Sequence, residues 1–175
     1  RHLVPFGEYV PLEHWLRGVI AFFDLPMSRN QPGPGMQAPL SFKGQPLSLS
    51  ICYEIAYPHL VRSAAKGPIA LVTISNDTWF GDSIGPVQHL QIAQMRALEN
   101  GRSLLRVTNN GITAAIDHAG EITDVLPRNQ QGVLQTELVL VRGDTPYHRF
   151  GYGMLGAILI FVFLLNIATS RWRSQ

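Results

Sequence analysis

Cysteine is almost missing from this 175-residue chain: Cys52 stands alone. An intrachain disulfide framework and a Cys-rich metal site are therefore excluded. Histidine offers no substitute. His2, His14, His59, His89, His118 and His148 are scattered, with no His-x-x-x-His or Cys–His ligand spacing, so no metal is assigned, and no cofactor either. Concentrated positive charge is also lacking. The formal net charge is +2 and the basic residues form no run, which argues against a dedicated nucleic-acid surface. Internal repeats and low-complexity tracts are absent. So are an initiator Met and a signal-like start: the chain opens Arg1-His2-Leu3 and is expected to be a piece of something longer.

What is present reads as one globular unit over residues 1–147, long enough to bury a sizeable core. The strand candidates are Leu47–Ile51, Ile69–Ser75, Leu104–Thr108, Thr113–Asp117 and Val133–Val141. The second is nearly all apolar, as expected of a strand covered on both faces. The helix candidates are Tyr57–Ala65 and Val87–Asn100; for the latter, Pro86 suits a first turn and Gly101 a C-terminal cap. Leu90, Ala93, Ala97 and Leu98 share a helical spacing, which leaves Arg96 and Glu99 to the surface. Asn109-Asn110-Gly111 and Asp117-His118-Ala119-Gly120-Glu121 are turn signals. Residues 28–39 are too rich in Pro and Gly for a regular element. Mixed helices and strands of this kind make a layered α/β or α+β domain.

The C-terminus differs. Tyr152 to Thr169 is 18 residues without a charge, and Asn166 is its one strongly polar side chain. A helix of roughly 20 apolar residues spans a bilayer core. This stretch is expected to be a transmembrane helix, the alternative being a core helix buried on all sides. Tyr147, Tyr152 and Trp172 flank it where interfacial aromatics belong. Arg171 and Arg173, in the short tail 170–175, outweigh the more distant Arg142 and Arg149, and favour a cytoplasmic tail with the preceding domain outside.

Three segments carry candidate chemistry. Ile51-Cys52-Tyr53-Glu54 follows an apolar strand and precedes a helix, the place where α/β enzymes expose a nucleophile. A lone cysteine is otherwise a small buried hydrophobe. As a nucleophile it needs a base, because only the thiolate attacks well; Glu8 and Glu54 are candidates by type. The turn after Cys52 could supply N–H donors to an oxyanion. The other two segments are His2-Leu3-Val4-Pro5-Phe6-Gly7-Glu8-Tyr9-Val10-Pro11 and Ser75-Asn76-Asp77-Thr78-Trp79-Phe80-Gly81. Each residue has a bland alternative: Glu8 a solvated carboxylate, Glu54 a helix cap, Trp79 and Phe80 core aromatics.

In this order, Leu3-Val4-Pro5-Phe6-Gly7-Glu8, Cys52-Tyr53-Glu54 and Ser75-Asn76-Asp77-Thr78-Trp79-Phe80-Gly81 resemble the nitrilase, or carbon-nitrogen hydrolase, superfamily. Residues 1–11, Phe22-Phe23-Asp24-Leu25-Pro26-Met27-Ser28, Met95-Arg96-Ala97-Leu98-Glu99 and Thr108-Asn109-Asn110-Gly111 extend the likeness to its membrane-bound branch, the apolipoprotein N-acyltransferases. The resemblance covers nearly the whole chain. It implies an αββα sandwich, incomplete at the N-terminus and followed by one transmembrane helix, in a bacterial inner membrane with the catalytic domain on the periplasmic side. It implies Cys52 as the nucleophile of a Glu-Lys-Cys triad, with Glu8 as an additional active-site glutamate. The triad's lysine would fall one residue before Arg1 and its general-base glutamate further upstream, so the chain alone is expected to be inactive. The implied partners are a phospholipid acyl donor, a diacylglyceryl apolipoprotein acceptor and the membrane. Tyr53, Glu54, Asn76, Trp79 and Phe80 are the expected substrate-binding residues. Phe23 joins them within an apolar stretch, Val19–Met27, that reads as a lipid-facing lid or, equally, a core helix and turn. Two other functions are compatible with the residues: an amidase acting on a small soluble amide, and a membrane-anchored binding domain without chemistry.

Overall fold

The computed structural model describes residues 3–4, 8–9, 33–34 and 37–173. Six strands form one mixed sheet in sequential order: β1 (Leu40–Phe42), β2 (Gln45–Ile51), β3 (Ala70–Ser75), β4 (Leu104–Thr108), β5 (Thr113–Ile116) and β6 (Ile122–Leu126). β2, β3 and β4 are parallel; the outer pairings are antiparallel. Parallel neighbours need crossovers, and helices supply them here. Helix α1 (Pro58–Ala64) joins β2 to β3, and α2 (Gly85–Asn100) joins β3 to β4. Both lie close to their expected limits. Gly101 ends α2 in the left-handed conformation, φ 60°, and its N–H returns to the carbonyls of Ala97 and Leu98.

The core sits between one face of the sheet and these helices. Ile55, Val61, Leu71, Leu90, Leu104 and Ile116 are among its buried members. The buried stripe of α2 is Pro86, His89, Leu90, Ala93, Arg96, Ala97 and Asn100, a run of three- and four-residue steps. This corrects two expectations. Arg96 is buried rather than on the surface, because it falls on the stripe three residues beyond Ala93; its charge is met by Glu99, with Nη2 donating to Oε1 at 3.1 Å. Leu98 is exposed because it lies off the stripe.

The other sheet face is apolar and open among the described residues. Ile51, Ile74 and Val107 lie side by side across β2, β3 and β4, and are 54%, 42% and 49% exposed. A sheet with both faces apolar is built to be covered twice.

The expected strand Val133–Val141 is not a strand. It pairs with none of the described strands and carries no regular structure. Its alternating side chains belong to an irregular segment, pinned where Thr136 donates to Asp124 (2.7 Å) and where Val139 O accepts from Ser103 Oγ (2.6 Å). Period-two patterning needs a ladder partner to become a strand, and β6, which the sequence reading passed over, takes the sheet position beside β5.

The chain then forms a short helix α3 (Pro146–Phe150) and a long one, α4 (Gly153–Arg173). Arg62 of α1 ties down their junction. Its Nε donates to the carbonyls of Tyr147 and His148 and its Nη2 to that of Arg149, each at 2.9 Å. Every large apolar side chain from Met154 to Ile167 is exposed. Among the described residues no helix is long and apolar enough to cross a membrane. The helix expected over Tyr152–Thr169 is present as α4, but its crossing of a membrane is not shown.

Candidate active site

The register of the parallel strands brings the candidate chemistry together. Ile51 pairs with Ile74, and Ser75 with Thr108, so the chain leaves β2, β3 and β4 at one level. Ligands of open α/β sheets bind at such carboxyl ends. Cys52 is the first residue past β2. It has φ 50° and opens a 3-10 turn, Cys52–Ala56, that leads into α1. A non-glycine residue in the left-handed region costs on the order of 1–2 kcal/mol. The turn holds it there: the Ile51 N–H donates to Glu54 Oε2 at 2.9 Å, across the residue that carries the strain.

Cys52 is half-buried on the wall of a cavity of about 290 Å³. Val4 and Glu8 close one side; Glu8 Oε2 accepts from the Val4 N–H at 2.9 Å. Tyr53 also lines it, with its ring edge-on to Tyr57 at 5.3 Å. Asn76, Trp79 and Phe80 form the wall from the segment after β3, and His89 reaches in from α2. Phe80 and His89 meet at 5.7 Å between ring centres. Trp79 is 65% exposed. The lining is overwhelmingly apolar, with few polar groups among large aromatic rings. Glu54 stands apart, in a smaller recess with Leu49, Ser50, Leu60 and Ala64, where it serves the turn. Phe23 and the stretch Val19–Met27 lie outside the described residues.

Below the cavity is a buried polar cluster that sequence reasoning missed. Asp77 and Arg106 are both fully buried and meet at 2.6 Å, Arg106 Nη2 to Asp77 Oδ2. Asp77 Oδ1 also accepts from Ser75 Oγ at 2.7 Å and faces His89 Nδ1 at 3.0 Å. Ser75 Oγ in turn lies 3.5 Å from Cys52 Sγ. Burial pushes the Asp77 carboxyl up, but the hydrogen bonds from His89 and Ser75 and the Arg106 charge outweigh it and hold it below its ordinary range. Burial likewise pulls Arg106 down, opposed by Asp77. The pair is thus a carboxylate and a guanidinium. The available signal was the buried stripe of α2, which places His89 one turn above Ala93; nothing local marks its partner Asp77, 12 residues away.

The turn between β4 and β5 locks this cluster. Asn109 Oδ1 accepts from the Asp77 N–H (3.2 Å), Asn109 Nδ2 donates to Asn76 Oδ1 (2.7 Å), and Thr78 Oγ1 donates to Asn110 Oδ1 (3.1 Å). A Cβ at Gly111 would overlap the Asp77 carboxylate, so only glycine lets the turn approach this closely. Among the described residues, no group of three or more His, Cys, Asp or Glu side chains is arranged to hold a metal ion.

The sequence profile of the carbon-nitrogen hydrolase family matches residues 1–145. The chain belongs to this family. Among curated proteins, this chain is similar to the apolipoprotein N-acyltransferase of Pseudomonas paraeruginosa, with 52% identity over 93% of this chain and 32% of the relative. It spans about a third of the length of the curated relatives it matches. Among solved structures it is similar in fold to a carbon-nitrogen hydrolase from Helicobacter pylori G27 (TM-score 0.54, 18% identity, 62% of this chain and 46% of the other). It is similar, too, to Nit3 of Saccharomyces cerevisiae, a member of branch 10 of the nitrilase superfamily (TM-score 0.50, 20% identity, 63% and 42%). The nitrilase-like fold, a mixed sheet with helices, is thereby shown.

Proposed function

We propose that the full-length protein is an N-acyltransferase that carries an acyl chain on Cys52. The observation that carries this reading is the position of the chain's single thiol: on a strained turn, facing a largely apolar cavity, in a sequence half identical to apolipoprotein N-acyltransferases. The Cys52 thiolate attacks an ester carbonyl of a phospholipid. The C–S bond forms, the ester C–O bond breaks, and the lysophospholipid leaves as an alcohol once protonated. The α-amino group of the diacylglyceryl cysteine at an apolipoprotein N-terminus then attacks the thioester, forms the amide and releases the thiol. Tyr53, Asn76, Trp79 and Phe80 line the acyl site, with Glu8 at its polar end; Glu54 supports it through the turn. An apolar cavity suits this chemistry, because water would hydrolyse the thioester.

The open sheet face supports an αββα sandwich whose second sheet comes from outside the described residues. The exposed apolar side chains of α4 support a helix that enters a bacterial inner membrane, with the catalytic domain on the periplasmic side.

The experiment is an intact-mass measurement on the full-length protein incubated with phospholipid. The wild type should gain one acyl chain, and Cys52→Ser should gain none. Persistence of the adduct in Cys52→Ser would overturn the assignment. Turnover of small amides without acylation by phospholipid would replace it with the amidase reading, and an inert thiol with the binding-domain reading.

A further inference from the structure

The proposed function uses Cys52 but leaves a polar neighbour, Ser75, without a task. Ser75 ends β3, and its Oγ lies between two partners: Asp77 Oδ1 at 2.7 Å and Cys52 Sγ at 3.5 Å. A hydroxyl has one proton to give and two lone pairs to receive with. Asp77 is ionised against the buried Arg106, and the short contact to it is of charge-assisted length. In the resting state the Ser75 proton therefore points at Asp77, and an Oγ lone pair faces the sulfur. The neutral Cys52 S–H can donate to it.

A thiolate reverses that requirement, because it accepts and cannot donate. The Ser75 hydroxyl is the group in place to turn toward it. Asp77 tolerates the loss, since Oδ1 keeps His89 Nδ1 at 3.0 Å and Oδ2 keeps Arg106 at 2.6 Å. The base of the cluster cannot drift: Asp77 and Arg106 are fully buried, Gly111 is packed against the carboxylate, and Asn109 holds the Asp77 backbone.

We propose that Ser75 is a catalytic residue, a hydroxyl that receives the Cys52 thiol, turns from Asp77 to donate to the thiolate, and returns to Asp77 once the sulfur is acylated. Ser75 carries no proton away. The thiol proton leaves to a carboxylate base, the class of group that the resemblance to the nitrilase superfamily supplies; the hydroxyl only reorients. The proposal rests on Cys52 as the acylated nucleophile.

The experiment compares Ser75→Ala and Ser75→Thr with wild type in the full-length protein, by single-turnover acylation from phospholipid, by KM, and by alkylation of Cys52 with iodoacetamide. Ser75→Ala should slow both acylation and alkylation of the folded protein about tenfold, the loss of one hydrogen bond to a charged sulfur, with KM unchanged; the melting temperature should fall separately, because the hydrogen bond to Asp77 is lost as well. Ser75→Thr, which keeps the hydroxyl, should recover most of the rate. Wild-type rates in Ser75→Ala would overturn the proposal, as would equal slowing in Ala and Thr, which would show a packing effect. Failure of the acyltransferase reading is a separate result: the wild type would then take no acyl chain from phospholipid, while the tenfold difference in alkylation would still stand.

Discussion

Arg102 and Arg106 lie four residues apart, are both buried, and are neutralised in different ways. Arg106 is matched by a carboxylate, Asp77, which in turn fixes Ser75 and His89 beside the Cys52 cavity. Arg102, at the opposite end of the sheet just before β4, is matched by backbone. Its Nε donates to Pro68 O at 3.1 Å and its Nη1 to Gly143 O at 2.6 Å and Gly101 O at 3.1 Å, with Asp144 only at 3.8 Å. One arginine anchors a site; the other staples three loops. The difference shows that burial of a charge does not by itself mark function. What the charge is paired with, and what that partner touches next, does.

The largest effect should come from unbalancing the site end. Asp77→Asn leaves the Arg106 guanidinium buried without its counter-charge, and should cost about 3–5 kcal/mol in denaturant unfolding of the full-length protein. Replacing both partners, Asp77→Leu with Arg106→Met, should restore much of that stability, since apolar pairs of similar size replace buried ion pairs well. Acylation should stay slow in the double variant because Ser75 has lost its anchor. Wild-type acylation there would remove the distinction between the two arginines.

Next in size is the structural end. Arg102→Met deprives the carbonyls of Pro68, Gly101 and Gly143 of a charged donor and should cost about 2 kcal/mol. The acylation rate of the folded protein should not change, because none of these groups lies on the Cys52 cavity. A rate loss larger than the loss of folded protein would mean that the two ends are coupled.

The smallest effect is a pH dependence near Arg102. Burial pulls the His148 imidazole below its ordinary range; Asp144 opposes this, and Arg102, Arg62 and Lys66 add to it. The folded state therefore binds fewer protons here than the unfolded state, whose pKa is about 6.5. This contribution to stability is complete above that pH and is lost as pH falls toward the lowered value. Thermal melting should weaken between about pH 7.5 and pH 5.5, and the change should shrink in His148→Gln. An equal drop in that variant would assign the pH dependence to another group.

Much of the architecture was legible in the residues. β2, β3, β4 and β5 and both crossover helices lie within a few residues of their expected places, since apolar runs, Pro86 and Gly101 act locally. Cys52 was expected after a strand and before a helix, and it is there. Val133–Val141 alternates in exposure without being a strand, because only a neighbouring ladder turns such a pattern into one. Arg96 is buried against the expectation from its charge because its position on the helix, in the stripe with Ala93 and Asn100, sets its exposure.

The sequence by itself determined β2 to β5, the two crossover helices, the turn that carries Cys52 and the family likeness, because each depends on neighbours in the chain. Only the tertiary structure decided that Ser75 meets Cys52 across 23 residues and that Asp77 meets Arg106 across 29. Those contacts arise from the register of parallel strands and the seating of α2 on the sheet. Pairings of that kind follow from packing, which no local pattern encodes.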